Sequence, residues 1–157
     1  MRFINLIVVH CSASRCDRCY TENDLTTDHL RRGFSDAGYH FYIRKDGSIK
    51  SLRPLEKPGA HARGYNAHSI GICYEGGLDE HGRSADTRTD FQKHSLRVLV
   101  MTLLRDYPAA RLCGHRDLSP DLNRNGEIEP EEWIKECPCF DAATILTEPP
   151  PPNPGHL

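Results

Sequence analysis

An excess of charge of either sign is missing from this sequence. Twenty Lys and Arg face twenty-two Asp and Glu, a net of −2 with His neutral. No basic field exists to gather phosphate backbones, so nucleic acid drops out as a partner. Long apolar runs are missing too: the longest, Leu6 to Val9, is far short of the ~20 residues a membrane-spanning helix needs, and no membrane contact is expected. Nor is a secretory leader expected, because Asn5 interrupts the stretch after Met1-Arg2 and His10 ends it before an apolar region has formed. Cysteine is plentiful, but its count of seven is odd. Without a leader, that argues against a disulfide framework and for reduced thiols, structural or metal-binding. No internal repeat is visible, which excludes solenoids and propellers.

What is present suits one folded domain. The chain has 157 residues, 38% hydrophobic and 27% charged, enough to bury a core without metals or disulfides and too apolar for general disorder. A monomer is expected. Phe3 to His10 is apolar without strict alternation, as in a strand buried on both faces. Cys11 to Asn23 reads as a loop, leading to a short helix with Leu30 and Phe34 on one face and Gly38 as its stop. Tyr39 to Arg44 and Ser48 to Leu52 form the arms of a hairpin across Lys45-Asp46-Gly47. Arg53 to Asn66, with Pro54, Pro58, Gly59 and Gly64, is a surface loop, and such loops often carry ligand contacts.

Ser69 to Tyr74 is a further strand, ended by Gly76-Gly77. Thr89 and Gln92 make a capping box for a helix whose Leu96, Leu99, Val100, Leu103 and Tyr107 share one face until Pro108 stops it. Arg111 to Gly114 is a short strand delivering His115. A helical turn is expected at Glu131 to Lys135 and a final short helix from Phe140 or Asp141. Glu148 to Leu157, rich in proline, is expected to be an extended flexible tail, leaving residues 1–147 as the domain. Strands alternating with helices, plus a hairpin, give an α/β fold: a single mixed β-sheet flanked by helices.

Three soft or borderline metal ligands stand where elements end: His10, His115 and Cys137. Two His and one Cys would suit a catalytic zinc that keeps a fourth position for water. Cys16 and Cys19 have the spacing of a zinc knuckle or redox pair, but with no second pair they read as free surface thiols. Cys11 and Cys139 read as small buried fillers.

Seven motifs, taken together and in order, carry a resemblance: Val8-Val9-His10-Cys11-Ser12-Ala13, Gly38-Tyr39-His40-Phe41, Lys45-Asp46-Gly47, His61-Ala62-Arg63-Gly64-Tyr65-Asn66, Ser69-Ile70-Gly71-Ile72-Cys73, Gly114-His115, and Cys137-Pro138-Cys139-Phe140-Asp141. From about residue 3 to 145 the chain resembles the zinc-dependent N-acetylmuramoyl-L-alanine amidases of type 2, in the phage-lysozyme-type branch related to peptidoglycan recognition proteins. The resemblance implies that His10, His115 and Cys137 hold zinc, with Tyr39 beside the metal and Lys135 reaching the same pocket as oxyanion-stabilising groups. It also implies hydrolysis of the amide between N-acetylmuramic acid and L-alanine, with His61, Arg63 and Asn66 holding peptidoglycan or a muropeptide. A glutamate that serves as general base in another branch is replaced here by Cys73, with Glu75 two positions on. With no leader expected, cytoplasmic synthesis and action on the cell wall after lysis, through a pore or by export are expected as well. The rival from another class is a non-catalytic peptidoglycan-binding module, against which the retained Cys137 speaks.

One departure from that pattern is large. His115 and Cys137 are 22 positions apart, and the extra residues about 119–132 resemble an EF-hand calcium loop. Asp121, Asn123, Asn125, Glu127 (through its carbonyl) and Glu132 would be the oxygen ligands, with Glu129 at the ninth position and Gly126 at the turn. Calcium is therefore expected as a second ion, ordering the loop and positioning Lys135 and Cys137.

Overall fold

In the computed structural model, which describes residues 2–149, a five-stranded sheet runs through the molecule in the order β4-β3-β5-β1-β7. β1 (Leu6–Cys11) is buried at every residue and lies parallel to both β5 (Ser69–Tyr74) and β7 (Arg111–Gly114). β3 (Phe41–Ile43) is parallel to β5 and antiparallel to β4 (Ile49–Ser51). A central parallel strand has both faces covered, which is why Phe3 to His10 shows no alternation.

The two faces are covered by different helices. Ile7, Val9, Cys11, Ile43, Ile70, Ile72 and Tyr74 join Leu96, Leu99, Val100 and Leu103 of α2 (Asp90–Asp106) in the main core. Tyr42 and Cys73 pack on the other face with Leu25 of α1 (Glu22–Arg31). Successive strand residues point to opposite faces, so His10, paired in register with Cys73, belongs to the α1 face. The α2 capping box forms as expected, and the buried Gln92 also gives its Nε2–H to the carbonyls of Ile43 and Glu75.

Several expectations need correction. The first helix starts inside the segment read as a loop: Thr21 and Asp24 form a reciprocal cap, and the buried side chains are Leu25 and His29. Leu30 is exposed and Phe34 lies beyond the end, because Gly33 at φ +91° reverses the chain. The hairpin strands are shorter than expected, although Leu52 N–H to His40 O and Arg53 N–H to Tyr39 O extend the pairing. A second small sheet, β2 (Ser14–Arg15) with β6 (Gly77–Leu78), was hidden in polar sequence. The late helical turns are single 3-10 turns, Pro130–Glu132 and Ala142–Ile145. The proline tail falls almost wholly outside the described residues.

Candidate active site

β1 carries His10 near its carboxyl end, and β7, its parallel neighbour, ends at Gly114 and delivers His115 on the next residue. Their rings stand 4.6 Å apart, centroid to centroid. The third member arrives from a different direction. Cys137 is held there by Arg116 N–H to its carbonyl (2.9 Å), by the Tyr74 hydroxyl to Pro138 O (2.6 Å), and by Pro138 lying against Gly114. A Cβ on Gly114 would meet Pro138 Cδ at 2.7 Å, so that approach requires glycine.

Ligand atoms of His10, His115 and Cys137 lie within 4.8 Å of one another, and among the described residues no other group of three His, Cys, Asp or Glu does so. Burial, with His61, His115 and Lys135 as neighbours, holds the His10 imidazole well below its usual pKa; burial and Lys135 lower His115 as well. Both rings are therefore neutral near pH 7, with lone pairs to give. Two neutral nitrogens and one sulfur form a donor set that fits zinc.

The cluster opens into a groove. One part, about 520 Å³, runs past Phe34, His61, Arg63, Tyr65, Asn66, His115 and Lys135. The other part adds His10, Tyr39, Asp28 and Arg31. Arg31, Arg32, Arg63 and Lys135 line these walls, against one carboxylate, Asp28, which accepts the Tyr20 hydroxyl. The groove is thus cationic in a protein of net charge −2.

Tyr39 lies with its ring 4.9 Å from that of His10, and burial raises its phenol well above the usual pKa, so it keeps its proton as a donor. Lys135 is exposed and reaches both parts of the groove. Cys73, where another branch has its base, is fully buried with its thiol pushed up by burial. Glu75 does not substitute: buried at 4% exposure, its carboxylate accepts the N–H of Tyr20 (2.7 Å) and Lys45 (3.0 Å).

The three expected substrate contacts differ in what they have to offer. Arg63 is exposed and makes no hydrogen bond or ion pair among the described residues. Asn66 Oδ1 is taken by the N–H groups of His61 (2.9 Å) and Ala62 (3.0 Å), closing its own loop. His61 Nδ1 is 2.9 Å from His10 Nε2 and its Nε2 is 3.1 Å from Ser69 Oγ. Sequence reasoning missed Arg32 and Phe34 as groove residues because they were assigned to a helix; the Arg32 guanidinium lies 5.1 Å over the Phe34 ring.

The 121–132 loop is wound tightly. Asp121 accepts the N–H of Asn125 (3.3 Å) and Gly126 (2.8 Å), with Gly126 at φ +88°. Asn123 Nδ2–H goes to Glu129 (2.7 Å), and the Glu127 N–H to Asn125 Oδ1 (2.9 Å). The Glu132 carboxylate, expected as a calcium ligand, instead accepts the backbone N–H groups of Leu122 (2.8 Å), Asn123 (3.1 Å) and Glu129 (3.0 Å). Those bonds lower its pKa.

Comparison with known proteins identifies the family. The family model described as N-acetylmuramoyl-L-alanine amidase matches residues 1–132, which includes His10 and His115. The chain is 37% identical over 135 residues to the endolysin of Escherichia phage T7, covering 86% of this chain and 80% of that protein. The structure of the N-acetylmuramoyl-L-alanine amidase LysC from Clostridium intestinale superposes with a TM-score of 0.71 at 32% identity, covering 93% of this chain and 85% of that one. A mutant of Drosophila PGRP-LB, in complex with tracheal cytotoxin, gives 0.63 at 26% identity over 96% of this chain and 84% of that one. A family match across most of the chain, with an amidase and a phage endolysin at this similarity, means that the protein belongs to the N-acetylmuramoyl-L-alanine amidases.

Proposed function

We propose that this amidase is zinc-dependent and hydrolyses the amide between the lactyl group of N-acetylmuramic acid and the stem-peptide L-alanine. The observation that carries the reading is the convergence of His10, His115 and Cys137 at the groove, from sequence positions far apart. Bound by these three, zinc would act as a Lewis acid on the amide carbonyl and lower the pKa of water towards neutrality. The chain's own groups do the rest. Tyr39, protonated, and the Lys135 ammonium are donors for the amide oxygen as negative charge develops on it, in a site partly shielded from water. Arg63 is the groove cation left to grip a stem-peptide carboxylate, with Asn66 Nδ2 and the His61 ring lining the same wall. Action on the cell wall follows release by lysis, a pore or an export route.

A calcium ion in the 121–132 loop is a separate proposal, supported by the oxygen spacing and by the Asp121 turn around Gly126. Binding would have to exchange the backbone donors on Glu132 for the cation. Calcium added to chelator-stripped protein should raise Tm, and an unchanged Tm would end that proposal.

The test of the main reading is mass spectrometry of peptidoglycan fragments incubated with the protein, with and without a zinc chelator. Stem peptides beginning at L-alanine, lost with chelator and restored by zinc, are expected. Fragments bound but left intact would make the chain a recognition module.

A further inference from the structure

We propose that His61 is a positioning residue that orients His10 for metal, rather than a contact for substrate. The inference rests on the zinc reading above.

Both ring nitrogens of His61 are already committed. Nδ1 lies 2.9 Å from His10 Nε2, and Nε2 lies 3.1 Å from the hydroxyl of Ser69, which is itself fully buried at the start of β5. Only one direction of proton donation leaves His10 able to bind a metal. If His10 Nε2–H donates to His61 Nδ1, then His61 Nε2–H donates to Ser69 Oγ, and His10 Nδ1 keeps its lone pair. The reverse direction would put the His10 proton on Nδ1 and close that nitrogen to a cation. The Ser69 hydroxyl, which can accept from His61 Nε2–H, completes the row in the direction that leaves the His10 Nδ1 lone pair free.

The fold is built around this ring. A Cβ on Gly71 would meet the His61 imidazole at 2.7 Å, and a Cβ on Gly59 would meet its Cδ2 at 2.6 Å. Two glycines, one on β5 and one in the preceding loop, therefore clear the space that the imidazole fills. Its backbone is pinned as well, since Asn66 Oδ1 accepts the His61 and Ala62 N–H groups. The His10 and His61 rings meet at 90° with centroids 4.9 Å apart, an edge-on contact that limits rotation of His10. His61 is not itself a fourth member of the metal cluster, which closes with His10, His115 and Cys137. Its role is the one that partners of metal-bound imidazoles commonly have, and their loss typically costs about 10–100-fold in metal affinity or activity.

The experiment compares zinc dissociation constants, measured by competition with a chromophoric chelator, together with kcat and KM, for the full-length protein and its His61→Ala and His61→Asn variants. His61→Ala should weaken zinc binding ~10–100-fold and lower kcat at zinc concentrations below saturation, with KM little changed. His61→Asn, whose Oδ1 supplies an acceptor near the lost Nδ1, should recover most of the zinc affinity. If the alanine variant does not fold, His61→Leu, closer in volume and without nitrogen, takes its place in the comparison. Zinc affinity within twofold of wild type in the nitrogen-free variant would overturn the proposal, and a raised KM alone would return His61 to the substrate. Failure of wild type itself to bind zinc would instead defeat the reading on which the proposal rests.

Discussion

The two halves of the His10, His115 and Cys137 cluster are built by different physics. His10 and His115 hang from β1 and β7, adjacent parallel strands whose register, Val9 opposite Gly114, sets where both imidazoles emerge. Cys137 and Lys135 hang from residues 119–137, a segment with one 3-10 turn and no strand. That segment is tied down by individual contacts: Arg116 N–H to Cys137 O, Ile134 N–H to Ser119 Oγ (3.1 Å), the Arg116 guanidinium 3.9 Å over Trp133, and the carboxylate of Glu132. A sheet distributes the cost of misplacing a ligand over many bonds, whereas a loop concentrates it in a few. Changes on the loop side should therefore alter the site without unfolding the protein, and changes at the joint should do both.

The largest expected effect follows removal of the loop-borne ligand. Cys137→Ala should lose zinc on dialysis, with affinity falling by more than the ~100-fold that an outer partner costs. Metal content measured against His10→Ala would show whether loop and sheet ligands weigh equally, and full zinc content in Cys137→Ala would remove the thiol from the site. Lys135→Ala should retain zinc yet lower kcat by about 10²- to 10³-fold, the usual loss of one charge-stabilising donor. Steady-state kinetics on a muropeptide checks this, and unchanged turnover would make Lys135 an ordinary surface lysine.

Gly114→Ala tests the joint itself. The added methyl would press on Pro138, costing about 1–3 kcal/mol of stability and moving Cys137 away from His115. Urea unfolding and zinc titration on one sample should show both losses together; a stability loss with normal zinc affinity would mean that the loop absorbs the strain.

Acidification separates the two halves. His10 and His40 are buried, and burial lowers both pKa values. Between their folded values and the unfolded value near 6.5, the unfolded chain binds more protons, so stability is full above that pH and falls below it. Each contributes a slope of up to about 1.4 kcal/mol per pH unit in that window. The Glu132 carboxylate is also lowered, so its contribution persists until the pH falls through the ordinary carboxylate range. For metal-free protein, Tm should drop between pH 7.5 and 5.5 through the imidazoles alone. A flat profile there would show that His10 and His40 are not held neutral.

Much of the scaffold was legible because the responsible interactions are local or periodic. The Thr89–Gln92 cap, the apolar stripe of α2, the Gly47 turn and the uninterrupted apolar β1 and β5 are each written in contiguous residues. The start of α1 was not, since its cap pairs Thr21 with Asp24 in a stretch dominated by Cys, Arg and Asp, which looks like loop. Glu75 shows the same limit at the site. As a residue near a catalytic strand it could have been a base, and only the packing of the Tyr20 and Lys45 backbone against it shows both oxygens in structural use.

The sequence by itself determined the family, the α/β class, and the identity of His10, His115, Cys137, Tyr39 and Lys135 as the residues to watch, because the motifs that carry them are short and ordered along the chain. Tertiary structure alone decided that donor atoms of His10, His115 and Cys137 meet, that both His61 ring nitrogens and Asn66 Oδ1 find partners inside the protein, and that Glu132 faces backbone donors. Those outcomes depend on strand order and loop path, which join residues tens of positions apart through contacts that no local pattern encodes.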